Sequence, residues 1–239
     1  MSSQTITADT AGTWKLGDLS VSRVGFGAMR LTGSAAFHFG TPSDRARSIA
    51  VLHKAIELGV NHLDTAAFYF SALRSANELI NTALAPYPDD LVIATKVGPA
   101  RDPAGAWLPL ARPEQLRGQV EENLRQLGRD HLDLVNLRVS GLDSISEHFG
   151  VLAGLREAGL IRHLGISNAR PAHLAQAQAV APVVCVQNAY GLGYRREQDA
   201  FLGTGTPGHL EDNVAAGALR LTPDELARLD AVHRASPER

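Results

Sequence analysis

A chain of 239 residues, 44% hydrophobic and 20% charged, is long enough to bury a large core without help from disulfides or metals. Its formal charge of -2 gives no general pull toward nucleic acid or an anionic membrane surface, and its single cysteine, Cys185, excludes an intrachain disulfide. No apolar stretch approaches the roughly 18 residues of a membrane-spanning helix. The Ser/Thr-rich segment from Met1 to Thr13 also lacks the basic start and apolar core of a signal peptide, which predicts a cytoplasmic protein. The expectation is one domain over residues 1–239 with a flexible leader at 1–13.

In chain order, WKLGDLSVS alternates around Gly17 and Asp18 as a hairpin does, and RVGFGAM follows as a first short core strand. DRARSIAVLHKAIELG places Ile49, Leu52, Ile56 and Leu58 at roughly helical spacing and ends on Gly59, a helix-terminating glycine. The strand VNHLDT comes next. The alternation then repeats: helix SANELINTALAP, strand LVIATK, helix RPEQLRGQVEENLRQLG, strand LDLVNLR, helix SISEHFGVLAGLREAG, strand HLGISN, helix RPAHLAQAQAVA and strand VVCVQ. Six strands alternating with five helices predict parallel βα units. Cys185, inside VVCVQ, reads as a small packed core thiol.

An open doubly wound sheet and a closed (β/α)8 barrel both fit this alternation, so the polar residues must discriminate between them. Nearly every core strand ends on one: Asp64, Lys96, Asn136 or Arg138, Ser167 with Asn168, and Gln187. In a barrel those ends converge on one pocket, whereas in an open sheet they spread along an edge. The GFGAMR segment is only a weak imitation of a dinucleotide-binding glycine fingerprint. The predicted fold is therefore α/β, a (β/α)8 TIM-type barrel with a hairpin cap.

Asp64, Tyr69 and Lys96 form a chemically coherent trio. A phenol is a poor acid at neutral pH, so a nearby cation is needed to stabilise the phenolate and an anion to hold the cation. Taken singly, Asp64 could cap the following turn, Tyr69 could be a rim aromatic, and Lys96 a solvated lysine. Ser167 and Asn168 could cap the helix that begins near Arg170, and Gln187 in an apolar strand needs a partner if buried. The nine histidines include no His-x3-His pair, so no metal site is predicted.

From about Trp14 to Asn213 the chain resembles the aldo-keto reductase family, NADPH-dependent barrels that reduce aldehydes and ketones. The resemblance rests on the order and spacing of GFGAM, NHLDTAAFY, ANELI, IATK, LRQLG before HLDLVNL, IRHLGISN, VQNAY and HLEDN. It implies that Tyr69 is the general acid, Lys96 lowers its pKa and Asp64 pairs with Lys96. It further implies that Ser167, Asn168 and Gln187 hold the nicotinamide carboxamide, with Met29, Arg30 and Asp64 also on the NADPH (NADP) side. Gly205, Thr206, His209, Asp212 and Asn213 match the segment that grips adenine and the 2'-phosphate, beside a helix start near Pro207.

The family's histidine at the end of the fourth strand is replaced here by Arg138, which can polarise a carbonyl or bind an anion but cannot shuttle a proton. This predicts a small-molecule carbonyl substrate bearing an acidic or phosphate group. After VQNAYGLGYRREQDAFL the chain passes directly to GTGTPGHLEDN, so the family's seventh strand, seventh helix and eighth strand have no counterpart and a deletion is placed near 201–203. The barrel is thus expected to be truncated to about six strands, with unclosed edges open to self-association. The competing reading is a catalytically silent relative that acts by association. A Schiff-base role for Lys96 fits poorly, because a charged Asp64 opposes the neutral amine it requires.

Overall fold

The computed structural model describes residues 7–33, 41–188, 211, 214–216 and 220–226. A two-stranded hairpin, β1 (Thr13–Leu16) and β2 (Leu19–Ser22), precedes a six-stranded sheet. The sheet strands are β3 (Phe26–Gly27), β4 (His62–Asp64), β5 (Val92–Val97), β6 (Leu132–Arg138), β7 (Ile161–Ser167) and β8 (Cys185–Gln187). They lie in sequence order and every neighbouring pair is parallel. The connecting helices are α1 (Arg45–Glu57), α2 (Ala76–Leu84), α3 (Leu116–Leu127), α4 (Ser146–Glu157) and α5 (Pro171–Gln178). The predicted alternation of six strands and five helices is thus the observed one.

Local chemistry explains the boundaries. Asp44 accepts a hydrogen bond from the Arg47 amide at 2.8 Å to open α1, and α3 stops where Gly128 turns left-handed at φ 63°. Gly17, at φ 64°, makes the two-residue hairpin turn, and a Cβ there would come within 2.4 Å of the His163 ring. Two expectations need correction. The first core strand shrinks to two paired residues, because the chain turns into a short 3-10 segment at Ala28–Arg30. The inward stripe of α1 is Ser48, Val51, Leu52 and Ala55, while Ile49 and Ile56 are only partly covered.

Strand alternation sorts the sheet into two faces. Leu63, Ile93, Val135, Leu137, Leu164 and Ile166 belong to the main core. On the opposite face, Val92, Ala94 and Leu134 form a separate buried cluster with Leu16 and Val21 of the hairpin, which therefore plugs the amino ends of the strands. Asp18 at the hairpin turn accepts hydrogen bonds from Arg162 and His163 of β7 and fixes the plug in place. Cys185 packs against this cluster, as expected of a small packed thiol, and is partly buried. It stands on β8, the last strand of the sheet among the described residues, all three residues of which remain partly exposed.

One contact settles barrel against open sheet. Gln187 of β8 donates from Nε2 to Asp64 Oδ1 of β4 at 3.0 Å. In a flat sheet those strands, four spacings apart, would lie about 19 Å from each other. The sheet is curled into a six-stranded half-barrel, and its carboxyl ends converge on one interior.

Candidate active site

Register places the interior side chains in rows: Lys96, Asn136, Gly165 and Cys185 in one, Arg138, Ser167 and Gln187 in the next toward the carboxyl ends. Gly165 is a glycine for a spatial reason, since a Cβ there would lie 2.1 Å from Asn136 Oδ1 and 2.9 Å from the Cys185 carbonyl. Asn136 is fully buried, and neither its Oδ1 nor its Nδ2 has a hydrogen-bond partner among the described residues.

Asp64 and Lys96 are 5% and 2% exposed, and Lys96 Nζ donates to Asp64 Oδ1 at 2.7 Å and Oδ2 at 2.5 Å. The ammonium also donates to the Thr65 carbonyl at 3.1 Å and lies 4.9 Å from the centre of the Tyr69 ring. The single-residue readings thereby fall away: Asp64 uses its carboxylate on Lys96 and Gln187 rather than capping the next turn, Lys96 is not solvated, and Tyr69 is 6% exposed rather than a rim aromatic. Burial works to strip the proton from Lys96, but the Asp64 carboxylate and the Tyr69 phenol outweigh it and hold the ammonium above the ordinary lysine value. Burial pushes the Tyr69 phenol above its ordinary value, with Lys96 pulling it down, Asp64 pushing it up and Arg138 pulling it down. Lys96 does act in the expected direction on Tyr69, yet the net displacement is upward because desolvation dominates.

The strand ends are braced from outside by a buried polar ladder. Thr65 donates to Asn77 Oδ1 at 2.7 Å, Asn77 donates to Asn123 Oδ1 at 2.9 Å, and Thr95 donates to the same oxygen at 2.6 Å. All four side chains are fully buried, and two of them directly follow or precede Asp64 and Lys96 in sequence. Sequence reading overlooked this ladder; its signal is the pair of asparagines standing on the buried faces of α2 and α3.

The other predicted residues divide into three groups. Ser167 is buried at the end of β7, and Arg138 is half-buried with no ion pair among the described residues. Asn168 is exposed, adopts the left-handed φ of 55°, and donates to the Val139 carbonyl at 3.0 Å. Neither Ser167 nor Asn168 caps α5, whose N-cap is Arg170, with His173 Nδ1 accepting from the Arg170 amide at 3.1 Å. Asn188 instead clamps the turn, accepting from the Ala169 amide at 2.8 Å and donating to its carbonyl at 3.1 Å. Met29 is partly buried and Arg30 exposed in the turn after β3. Gly205, Thr206, His209, Asp212, Asn213, the helix start near Pro207 and the deletion near 201–203 lie outside the described residues. A cavity of about 1270 Å3 touches Lys96, Phe68, Arg101 and Gln119 but none of Asp64, Tyr69, Arg138, Ser167 or Gln187, so it is a side chamber between the β4–α2 and β5–α3 connections.

A curled parallel sheet with a buried acid–lysine pair beside a tyrosine at its carboxyl end defines the class, and the family comparison agrees with it. The model of the aldo/keto reductase family matches residues 23–202, and the chain belongs to that family of carbonyl-handling oxidoreductases. It is 44% identical over 200 residues to pyridoxine 4-dehydrogenase of Escherichia coli (strain K12), a match covering 81% of this chain and 68% of that protein. It is 37% identical over 197 residues to an uncharacterized oxidoreductase of Schizosaccharomyces pombe, covering 82% of this chain and 63% of the other. Among solved structures it resembles the glycerol dehydrogenase of Gluconobacter oxydans, with TM-score 0.80 and 20% identity over 96% of this chain and 98% of that one. It also resembles the holo form of an aldo-keto reductase from Bacillus halodurans, with TM-score 0.76 and 22% identity over 94% of this chain and 97% of that one. These structural likenesses speak for the fold alone.

Proposed function

We propose that the protein reduces an aldehyde or ketone by hydride transfer from NADPH, with Tyr69 as the general acid. The observation that carries this reading is the Lys96 ammonium, held at 2.7 and 2.5 Å by Asp64 and set 4.9 Å from the centre of the Tyr69 ring. A buried cation there stabilises the phenolate left behind when Tyr69 gives its proton to the carbonyl oxygen. The phenol, displaced upward from its ordinary value by burial, keeps its proton throughout the neutral range.

The residues at the mouth suit a nicotinamide. Gln187 gives one of its two amide N–H groups to Asp64 and presents its carbonyl as an acceptor, and the buried Ser167 hydroxyl stands beside it in register. A carboxamide supplies the complementary donor and acceptor. Ser167, Asn168 and Gln187 would orient the ring, with Met29 and Arg30 on the same side. Gly205, Thr206, His209, Asp212 and Asn213 would take the adenine and 2'-phosphate on the strength of the family motif. NADPH, when bound, supplies the hydride, and the chain supplies orientation and the proton. Residues 1–239 act as a single domain in this reading, in the cytoplasm.

Arg138, half-buried at the end of β6, lies close enough to Tyr69 to draw its pKa down. It contacts the substrate and favours carbonyls that carry an acidic or phosphate group. The name of the Escherichia coli relative places pyridoxine and its 4-aldehyde first in a substrate panel. Offering that aldehyde with and without a 5'-phosphate tests Arg138: the phosphorylated form should be preferred, and Arg138→His should erase the preference. An equal preference in both proteins would remove Arg138 from substrate contact.

Calorimetric titration with NADPH and then NADH tests the cofactor assignment before any substrate is chosen. Tyr69→Phe should then lower kcat by about 10^3-fold while leaving NADPH affinity unchanged. Full activity in that variant would dismiss the phenol as the acid.

A further inference from the structure

We infer that Arg101 is a positioning residue for Tyr69, clamping the β4–α2 connection that carries the phenol from a loop that is remote in sequence. Arg101 lies in the β5–α3 connection and is 8% exposed. Its Nη1 donates to the Phe70 carbonyl at 3.0 Å and to the Phe68 carbonyl at 3.4 Å, the two residues that flank Tyr69. Its Nε donates to the Gly105 carbonyl at 2.9 Å, which ties the guanidinium to its own loop.

The aromatic packing points the same way. The guanidinium lies 4.7 Å from the centre of the Phe70 ring and 5.7 Å from that of Trp107. Trp107 meets Phe68 edge to face at 5.8 Å, and Phe68 meets Tyr69 edge to face at 5.2 Å. One planar cation thus joins both sides of the Tyr69 backbone to a chain of rings ending on the Tyr69 ring itself. The Tyr69 peptide itself is tied within its own connection, its N–H donating to the Ala66 carbonyl at 3.0 Å and its carbonyl accepting from the Ala76 amide at 2.9 Å. Guanidinium geometry is needed here: an ammonium has all its donors on one atom, so it cannot reach the Phe68 and Phe70 carbonyls while a second nitrogen holds the Gly105 carbonyl, nor lie as a flat plate beside two rings. A displacement of about 1 Å at a reacting group costs up to about 10^2-fold in rate, so a clamp on the tyrosine's two neighbours bears directly on proton transfer.

The consequence for catalysis rests on the reading of Tyr69 as the acid, but the clamp itself can be tested without that reading. Amide hydrogen exchange on the full chain, with no cofactor or substrate, should show the Tyr69 and Ala76 amides of Arg101→Ala exchanging about ten-fold faster or more than in the native protein, with β5 and β6 amides within about two-fold. Unchanged loop amides, or equal acceleration in the strands, would overturn the clamp. Should Arg101→Ala fail to fold, Arg101→Lys keeps the charge and is expected to show the same loop-selective acceleration; exchange within about two-fold of native would overturn the proposal equally.

In turnover, Arg101→Ala should lose about 30-fold in kcat with KM and NADPH affinity within about three-fold, and added guanidinium should restore part of the loss. A loss confined to KM would overturn the positioning role. A native protein that reduces no carbonyl compound would instead overturn the proposed function, with the exchange result still deciding the fate of the clamp.

Discussion

The two walls of the barrel interior are built on opposite terms. On the β4–β5 wall, Asp64 and Lys96 are almost fully buried, satisfy each other and are braced from behind by the Thr65, Asn77, Asn123 and Thr95 ladder. On the β7–β8 wall, Ser167 is buried but Gln187 is half-exposed, on a strand whose three residues are all partly exposed. The first wall is a closed electrostatic unit whose members need one another, because a buried charge without a partner is too costly to keep. The second is polar and partly open, and it meets the first through the hydrogen bond from Gln187 to Asp64.

The sharpest way to break this contrast is to remove one half of the ion pair. Asp64→Ala strands the Lys96 ammonium in the interior and is expected to cost about 3–5 kcal/mol of unfolding free energy, read by denaturant titration. Replacing both Asp64 and Lys96 with apolar residues of similar size should cost much less, since it is the unpaired charge that is penalised. A loss below about 1 kcal/mol in Asp64→Ala would mean that water reaches Lys96 and the wall is not sealed.

Acid should open the same wall. His62, on β4 two residues before Asp64, is held neutral by burial, which pushes it down to about 4, with Asp64 opposing. Between the ordinary value of 6.5 and that lowered value, the unfolded chain binds a proton that the native protein refuses, so stability falls as pH falls through this window. The expected loss is about 3 kcal/mol, seen as a falling unfolding midpoint between pH 6.5 and 4, and His62→Phe should flatten it. An equally steep profile in the variant would assign the acid sensitivity to other groups.

The smallest effect belongs to the other wall. Gln187→Ala removes one hydrogen bond from a half-exposed side chain and should cost about 1 kcal/mol of stability, while weakening NADPH binding more clearly than it weakens the fold. If it destabilises the protein as strongly as Asp64→Ala, the two walls form one unit and the contrast fails.

Local patterns carried much of this. Strand and helix alternation, the hairpin around Gly17 and Asp18, and the polar residue closing each strand were all readable, because period and turn chemistry act over a few residues. The Asp64–Lys96 pairing was anticipated from charge logic. The features that escaped depend on contacts between distant segments: Arg101 reaching 31 residues back to the Phe70 carbonyl, Asn123 of α3 joining α2 to β5, and Asn188 clamping Ala169. Nothing around RDPAGAW distinguishes a clamp from a loop arginine.

What this chain's sequence determined by itself was its family, its parallel βα plan and the grouping of Asp64, Tyr69 and Lys96, since these are written in spacing and residue type. Tertiary structure decided the rest. It set the net direction of the Tyr69 pKa, which depends on how completely the phenol is desolvated. It also set aside the alternative in which Ser167 or Asn168 caps α5, through the Arg170 and Asn188 arrangement. Finally it settled the curl of the sheet, recorded in one 3.0 Å bond between strands four places apart. Burial and long-range proximity are properties of the packed chain, and no local stretch encodes them.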